Sequence, residues 1–187
     1  MGSNSKRAKE YHEDRISALP DVIRCHILSF MPTRDAVKTS VLSHRWKNAW
    51  LSVPNLDLSV CSSQGWSAGF VDRVLFFRGL TNIHKFRLEC TRFKNCFSRI
   101  DLWINIAIRR NVVELDLDLS DCGRDSDLHV ELPSSIFVCK TFRILKLKLG
   151  ANFIAIAPTS NCFPSLKYLH VTLDRPRLLR WIEKLFA

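Results

Sequence analysis

One short apolar pattern recurs along this chain and restricts what it can become. Two polar-permissive positions separate a first apolar residue from a second, and one separates the second from a third. The copies are Ile83-His84-Lys85-Phe86-Arg87-Leu88, Val112-Val113-Glu114-Leu115-Asp116-Leu117, Phe142-Arg143-Ile144-Leu145-Lys146-Leu147 and Leu166-Lys167-Tyr168-Leu169-His170-Val171. Their starts at 83, 112, 142 and 166 lie 29, 30 and 24 residues apart. That period is near the one at which strand-plus-helix units repeat. The last two apolar positions alternate as a strand with one buried face requires, and the first tucks under the same strand. A lone strand of this kind cannot bury its face, whereas parallel neighbours stacked in series can.

The spacers fit such a stack. Phe70, Val71, Val74, Leu75 and Phe77 precede the first copy, and Leu102, Trp103, Ile106 and Ala107 precede the second at helical spacing. The third spacer holds Leu132-Pro133-Ser134-Ser135-Ile136-Phe137, with Cys139 after it. Strands over 83–88, 112–117, 142–147 and 166–171, with helices or turns between them, make a short α/β solenoid over residues 59–173.

Residues 15–58 carry a different pattern. Pro20 suits the first turn of a helix, where a missing N–H costs nothing, and Val22, Ile23, Ile27 and Phe30 follow at helical spacing. Met31-Pro32 ends that helix. Asp35 is placed to cap a second, short one, and Ser43 a third, in which Trp46 and Trp50 are neighbours on one face. Three short helices enclose little interior, so a surplus of apolar side chains should seat on another protein. The fold expected overall is α+β. A polar, basic, mobile tail over 1–14 precedes the helices, and one basic amphipathic helix over 174–187 follows the solenoid, with Leu178, Trp181, Ile182 and Leu185 as its apolar stripe.

The run from Asp14-Arg15-Ile16-Ser17-Ala18-Leu19-Pro20-Asp21-Val22-Ile23 through Ile27-Leu28-Ser29-Phe30-Met31-Pro32 and Val41-Leu42-Ser43-His44-Arg45-Trp46 to Val53-Pro54 closely resembles the F-box of plant F-box/leucine-rich-repeat proteins. Phe70-Val71-Asp72-Arg73-Val74-Leu75, Glu114-Leu115-Asp116-Leu117 and Cys162-Phe163-Pro164-Ser165-Leu166-Lys167 are similar to landmarks of the same family, some of whose members carry a C-terminal FBD region. The resemblance covers residues 14–173. It implies a non-catalytic, substrate-recruiting subunit of an SCF-type ubiquitin ligase. Its F-box would bind a Skp-type adaptor and, through it, a cullin scaffold; its repeats would hold a protein target. The adaptor contacts implied are Leu19, Pro20, Ile23, Ile27, Leu28, Val41, Leu42, Arg45 and Trp46. Longer family members continue with further repeats, so this chain reads either as a complete short member or as a truncated one that docks the adaptor without a target.

The outward positions of the strands, Arg87, Glu89, Asp116, Asp118, Lys146, Lys148 and His170, form the candidate target-binding face, a pattern that plain solubility would also produce. Net charge is +10, with 9 Lys/Arg against 5 Asp/Glu in residues 1–50 and 19 against 13 in the rest. The excess is spread along the chain, which disfavours a specific nucleic-acid binder. Seven cysteines are scattered without a CxxC pair, as expected of reduced thiols packed as small apolar groups, and no clustered ligands suggest a metal. Six histidines share no spacing with a nucleophile, and no glycine-rich phosphate loop is present, so neither an enzyme nor a cofactor site is expected. No run of ~18 apolar residues or secretory core occurs, which points to the nucleus, the cytoplasm or both; Lys6-Arg7-Ala8-Lys9 is a candidate import signal.

Overall fold

The computed structural model describes residues 15–61, 67–92, 97–122, 130–151, 153–154 and 162–174. The tail expected over 1–14, and all but the first residue of the helix expected over 174–187, lie outside them. Helices α1 (Asp21–Leu28) and α2 (Thr33–Lys38) open the chain. Alternating elements follow: β1 (Asn55–Cys61), α3 (Ala68–Phe77), β2 (Lys85–Thr91), α4 (Phe97–Arg109), β3 (Glu114–Asp121), β4 (Val130–Glu131), α5 (Ser135–Val138), β5 (Ile144–Leu149), β6 (Phe153–Ile154) and β7 (Tyr168–Leu173).

Strands β1-β2-β3-β5-β7 form one parallel sheet in chain order, and β4 pairs with β6 in a second, two-stranded one. Successive strands are neighbours because the intervening chain crosses one face and returns one strand over. The motif's second and third apolar positions fall in register across the sheet. Leu56, Phe86, Leu115, Leu145 and Leu169 align in one row, and Leu58, Leu88, Leu117, Leu147 and Val171 in another. These rows pack under Val71, Val74 and Leu75 of α3, Trp103, Ile104 and Ala107 of α4, and Ile136 and Phe137 of α5. Leu102 and Phe77, expected in that layer, are exposed.

The first apolar position of the second motif follows directly on a helix end. At the end of α4, Asn111 adopts φ 59°, its N–H donates to Ile108 O and the N–H of Val112 donates to Ala107 O. This left-handed closure satisfies helix-end carbonyls and turns Val112 inward, where it is fully buried. Each strand begins about two residues after its motif does.

One strand was not expected. β1 crosses the 58/59 boundary drawn from the sequence and pairs with β2 from Asn55↔Lys85 to Cys61↔Thr91. A 3-10 turn at Thr39–Val41 follows α2, and the third helix expected from Ser43 is replaced by tight turns, including a 3-10 turn at Ala49–Ser52. There Trp46 N–H reaches Ser43 O, Ala49 N–H reaches Trp46 O and Leu51 N–H reaches Asn48 O, all three-residue spans. Tightening lets both Trp46 and Trp50 reach the interior of a very small unit. Nor does Asp35 cap α2. Pro32 holds the N-cap position at φ −52°, and Asp35 sits in the first turn with an ion pair to Lys38 at 2.7 Å.

The helical unit is fastened to the sheet. Thr33 Oγ1, buried, accepts the N–H of Asp57 at 2.8 Å and so covers a polar group on the β1 edge. Arg78, 2% exposed, donates to Trp50 O at 3.1 Å and to Asn82 O at 3.4 Å. Burial and the nearby Arg110 guanidinium lower the Arg78 pKa to about 10, well above neutral, so it stays charged.

Candidate functional site

Two surfaces merit a functional reading. The first is the helical unit. Leu28 and Trp46 are 0% and 3% exposed, together with Ala36, Trp50 and Val53 in the interior. Arg24 is also buried. It donates to Arg45 O at 2.6 Å, pairs with Asp21 and lies 5.9 Å from the centre of the Trp46 ring. This network fixes α1 against the turns after α2.

What that interior does not absorb is considerable. Ile16, Val22, Ile23, Ile27, Phe30, Val41 and Leu42 are all exposed, Val22 at 78%, Phe30 at 77% and Val41 at 87%. Pro20 is exposed and Leu19 half-buried, and Arg45 is exposed with Asp21 3.8 Å away. Of the contacts implied by resemblance, Leu19, Pro20, Ile23, Ile27, Val41, Leu42 and Arg45 therefore offer surface. Leu28 and Trp46 do not: they face inward because so small a unit needs its largest well-placed side chains for its own core. Ile16, Val22 and Phe30 are exposed beside them, although the resemblance did not imply them as contacts. Phe30 extends past the end of α1 and meets His26 edge to face at 4.8 Å.

The second surface is the sheet face turned away from α3, α4 and α5. Here Asp57, Arg87, Asp116, Lys146 and His170 align across the five strands, and Glu89, Asp118, Lys148 and Thr172 form the next row. Charges alternate along the first row and pair in place. Arg87 bonds Asp57 at 2.9 Å and Glu89 at 3.0 Å, and lies 4.0 Å from Asp116. Glu114 takes Lys85 at 2.9 Å and Lys146 at 3.1 Å, and Lys148 reaches Asp118 at 3.0 Å. Burial pushes the Glu114 carboxyl up, but the hydrogen bonds from Lys85 and Lys146 outweigh it and hold the group below its usual range. At Asp118 burial is likewise outweighed, by Ser120 and Lys148. The Lys146 ammonium is raised in turn by Glu114. All seven residues singled out in the sequence lie on this face. His170 lies on β7, 3.2 Å from Thr172 Oγ1. The arrangement is a lattice of mutually neutralising ion pairs.

No helix among the described residues is long and apolar enough to cross a membrane. Cys61, Cys90, Cys122 and Cys139 are buried.

Comparison with known proteins bears on the first surface directly. The F-box domain family matches residues 16–58, the segment that holds the exposed apolar set. An F-box/LRR-repeat protein of Arabidopsis thaliana is 38% identical over 172 residues, 84% of this chain and 31% of its own length. F-box/LRR-repeat protein 13 of the same plant is 37% identical over 175 residues, 90% of this chain and 38% of its own. An F-box/FBD/LRR-repeat protein is 34% identical over 180 residues, 90% and 37% respectively. The chain thus spans about a third of the length of these relatives. No solved structure matches it.

Proposed function

We propose that this chain, an F-box protein homologous over most of its length to the F-box/LRR-repeat proteins of plants, is a non-catalytic, target-recruiting subunit of an SCF-type ubiquitin ligase. The exposed side chains of the F-box seat on a Skp-type adaptor, which joins a cullin scaffold. The parallel sheet and its helices are leucine-rich repeats that hold the target.

The observation that carries the reading is the mismatch between size and grease in residues 16–42. Seven large apolar side chains stand in solvent within these 27 residues. Large apolar side chains exposed in such number on one small unit mark an interaction surface. The aliphatic majority suits a partner's apolar pocket, and the Arg24, Arg45 and Asp21 network holds α1 in a fixed pose, which limits the entropy lost on docking.

Co-expression of the whole chain with a Skp-type adaptor tests this. A stable complex is expected, and Leu19→Ala with Pro20→Ala should remove it while leaving the sheet folded by circular dichroism. Failure to form a complex, or one indifferent to both replacements, overturns the proposal.

A further inference from the structure

The strands begin on a repeated stitch. Pro54 O accepts the N–H groups of His84 and Lys85, His84 O those of Val113 and Glu114, Val113 O those of Arg143 and Ile144, and Arg143 O those of Lys167 and Tyr168. Residues 54, 84, 113, 143 and 167 therefore form a column along one margin of the sheet, stepping one strand spacing, ~4.8 Å, at a time. The column ends in two cations, Arg143 and Lys167. Beside them lies a groove of about 750 Å³, which Lys140 also lines.

This groove differs electrostatically from the sheet face. There Lys85, Arg87, Lys146 and Lys148 each hold a carboxylate at 3.1 Å or less. In the groove Lys140, Arg143 and Lys167 are all exposed, none pairs with a carboxylate among the described residues, and no described lining residue is acidic. The net positive charge looks evenly spread along the chain, yet folding gathers three unneutralised cations around one concavity, where their potentials add. Val113, Pro164 and Leu166 supply apolar wall between them. No aromatic side chain lines the described groove, so the stacking platform that holds single-stranded nucleic acid is missing.

We propose that this groove captures the target protein through an extended acidic segment. Its carboxylates meet Lys140, Arg143 and Lys167, and its intervening apolar side chains lie on Val113, Pro164 and Leu166. The inference rests on the ligase-receptor reading and moves target recognition from the self-paired sheet face to the sheet margin. An extended peptide of alternating acidic and apolar residues presents the two classes on opposite sides, which suits a groove with cations and apolar wall together.

The test uses the whole chain, co-purified with a Skp-type adaptor, and a fluorescein-labelled decapeptide of alternating Glu and Ala. Polarisation should rise on binding at low salt and fall steeply as salt is added. Lys140→Glu/Arg143→Glu/Lys167→Glu should weaken binding about tenfold or more, the sum of three partly exposed ion contacts. The charge-matched triple Lys47→Glu/Arg73→Glu/Arg99→Glu, whose residues do not line the groove, should stay within about threefold, because nonlocal charge acts weakly across solvent. The groove replacements are on exposed side chains, so an unchanged circular dichroism spectrum is expected. Any of four results overturns the groove assignment: no peptide binding by the parent chain, equal loss in both triples, equal binding of the peptide with Gln in place of Glu, or tighter binding of a ten-nucleotide oligothymidylate than of the Glu peptide. Absence of the adaptor complex, with peptide binding intact and groove-dependent, would instead remove the ligase reading and leave the groove standing.

Discussion

Val41→Ser together with Leu42→Ser separates docking from folding most cleanly. Val41 is 87% and Leu42 62% exposed, at the end of the 3-10 turn after α2 and just beyond it. Full burial of such a side chain is worth ~1.5–3 kcal/mol, so covering the exposed fractions would contribute roughly 1.3–2.6 kcal/mol at Val41 and 0.9–1.9 kcal/mol at Leu42. The two together make roughly 2–4.5 kcal/mol, or about 40-fold to 2,000-fold in adaptor affinity. A partner that covers only half of this surface still loses about sixfold at the lower bound. The free chain has little to lose, since neither side chain is in the core, and its stability should change by less than ~0.5 kcal/mol. Calorimetric titration with a Skp-type adaptor gives the first quantity, and thermal melting of the uncomplexed chain the second. An affinity within threefold of the parent refutes the docking surface. A large drop in melting temperature refutes the claim that these residues are held out for a partner.

Gly150→Ala should be destabilising for a local reason: a methyl there would lie 2.6 Å from Ser120 O and 3.3 Å from Leu119 O, both backbone atoms of the neighbouring repeat. Overpacking of this kind costs ~1–3 kcal/mol, or about 2–4 °C in melting temperature per kcal/mol for a chain of this size, and an unchanged melt would show that the two repeats yield freely. Glu114→Gln should lower stability at pH 7 by about 1 kcal/mol, since Lys85 and Lys146 lose a shared charged acceptor. The folded Glu114 carboxyl titrates below its usual 4.5, so the unfolded chain binds more protons in that region. Its contribution is complete above the unfolded value and disappears as pH falls through the folded one. The urea midpoints of parent and variant should therefore converge on acidification, and a gap that persists at pH 2 contradicts the assignment.

Much of the sheet could be read in advance because the alternation of Phe86 with Leu88, Leu115 with Leu117 and Leu145 with Leu147 is local, and local pattern survives without knowledge of neighbours. β1 was legible on the same terms. Val53, Leu56 and Leu58 repeat the motif 30 residues before Ile83, but the segment also ends the F-box run and was assigned to it. The turns around Trp46 were harder, because i,i+4 aromatic spacing suits a helix and only the need to bury both rings in a tiny core selects tighter turns. Leu28 and Trp46 look no different from Ile27 and Leu42 as letters; which faces inward depends on the pose of α1 that Arg24 enforces. The outward charges were legible as positions but not as pairs. Arg87 meets Asp57 and Asp116 only through the register of three strands. Lys140, Arg143 and Lys167 are separated by 3 and 24 residues, with nothing in their spacing to mark them as one cluster.

Because β1 leaves the helical unit and immediately becomes the first rung of the sheet, and Thr33 and Arg78 clamp the seam from both sides, the two parts share no hinge. A target bound by the sheet would be held at a set bearing from an adaptor bound by the helices. Grafting this repeat array onto a foreign F-box by cutting at residue 58 would split a strand, and a chimera that keeps Val53 through Cys61 with the array inherits the angle as well as the grip.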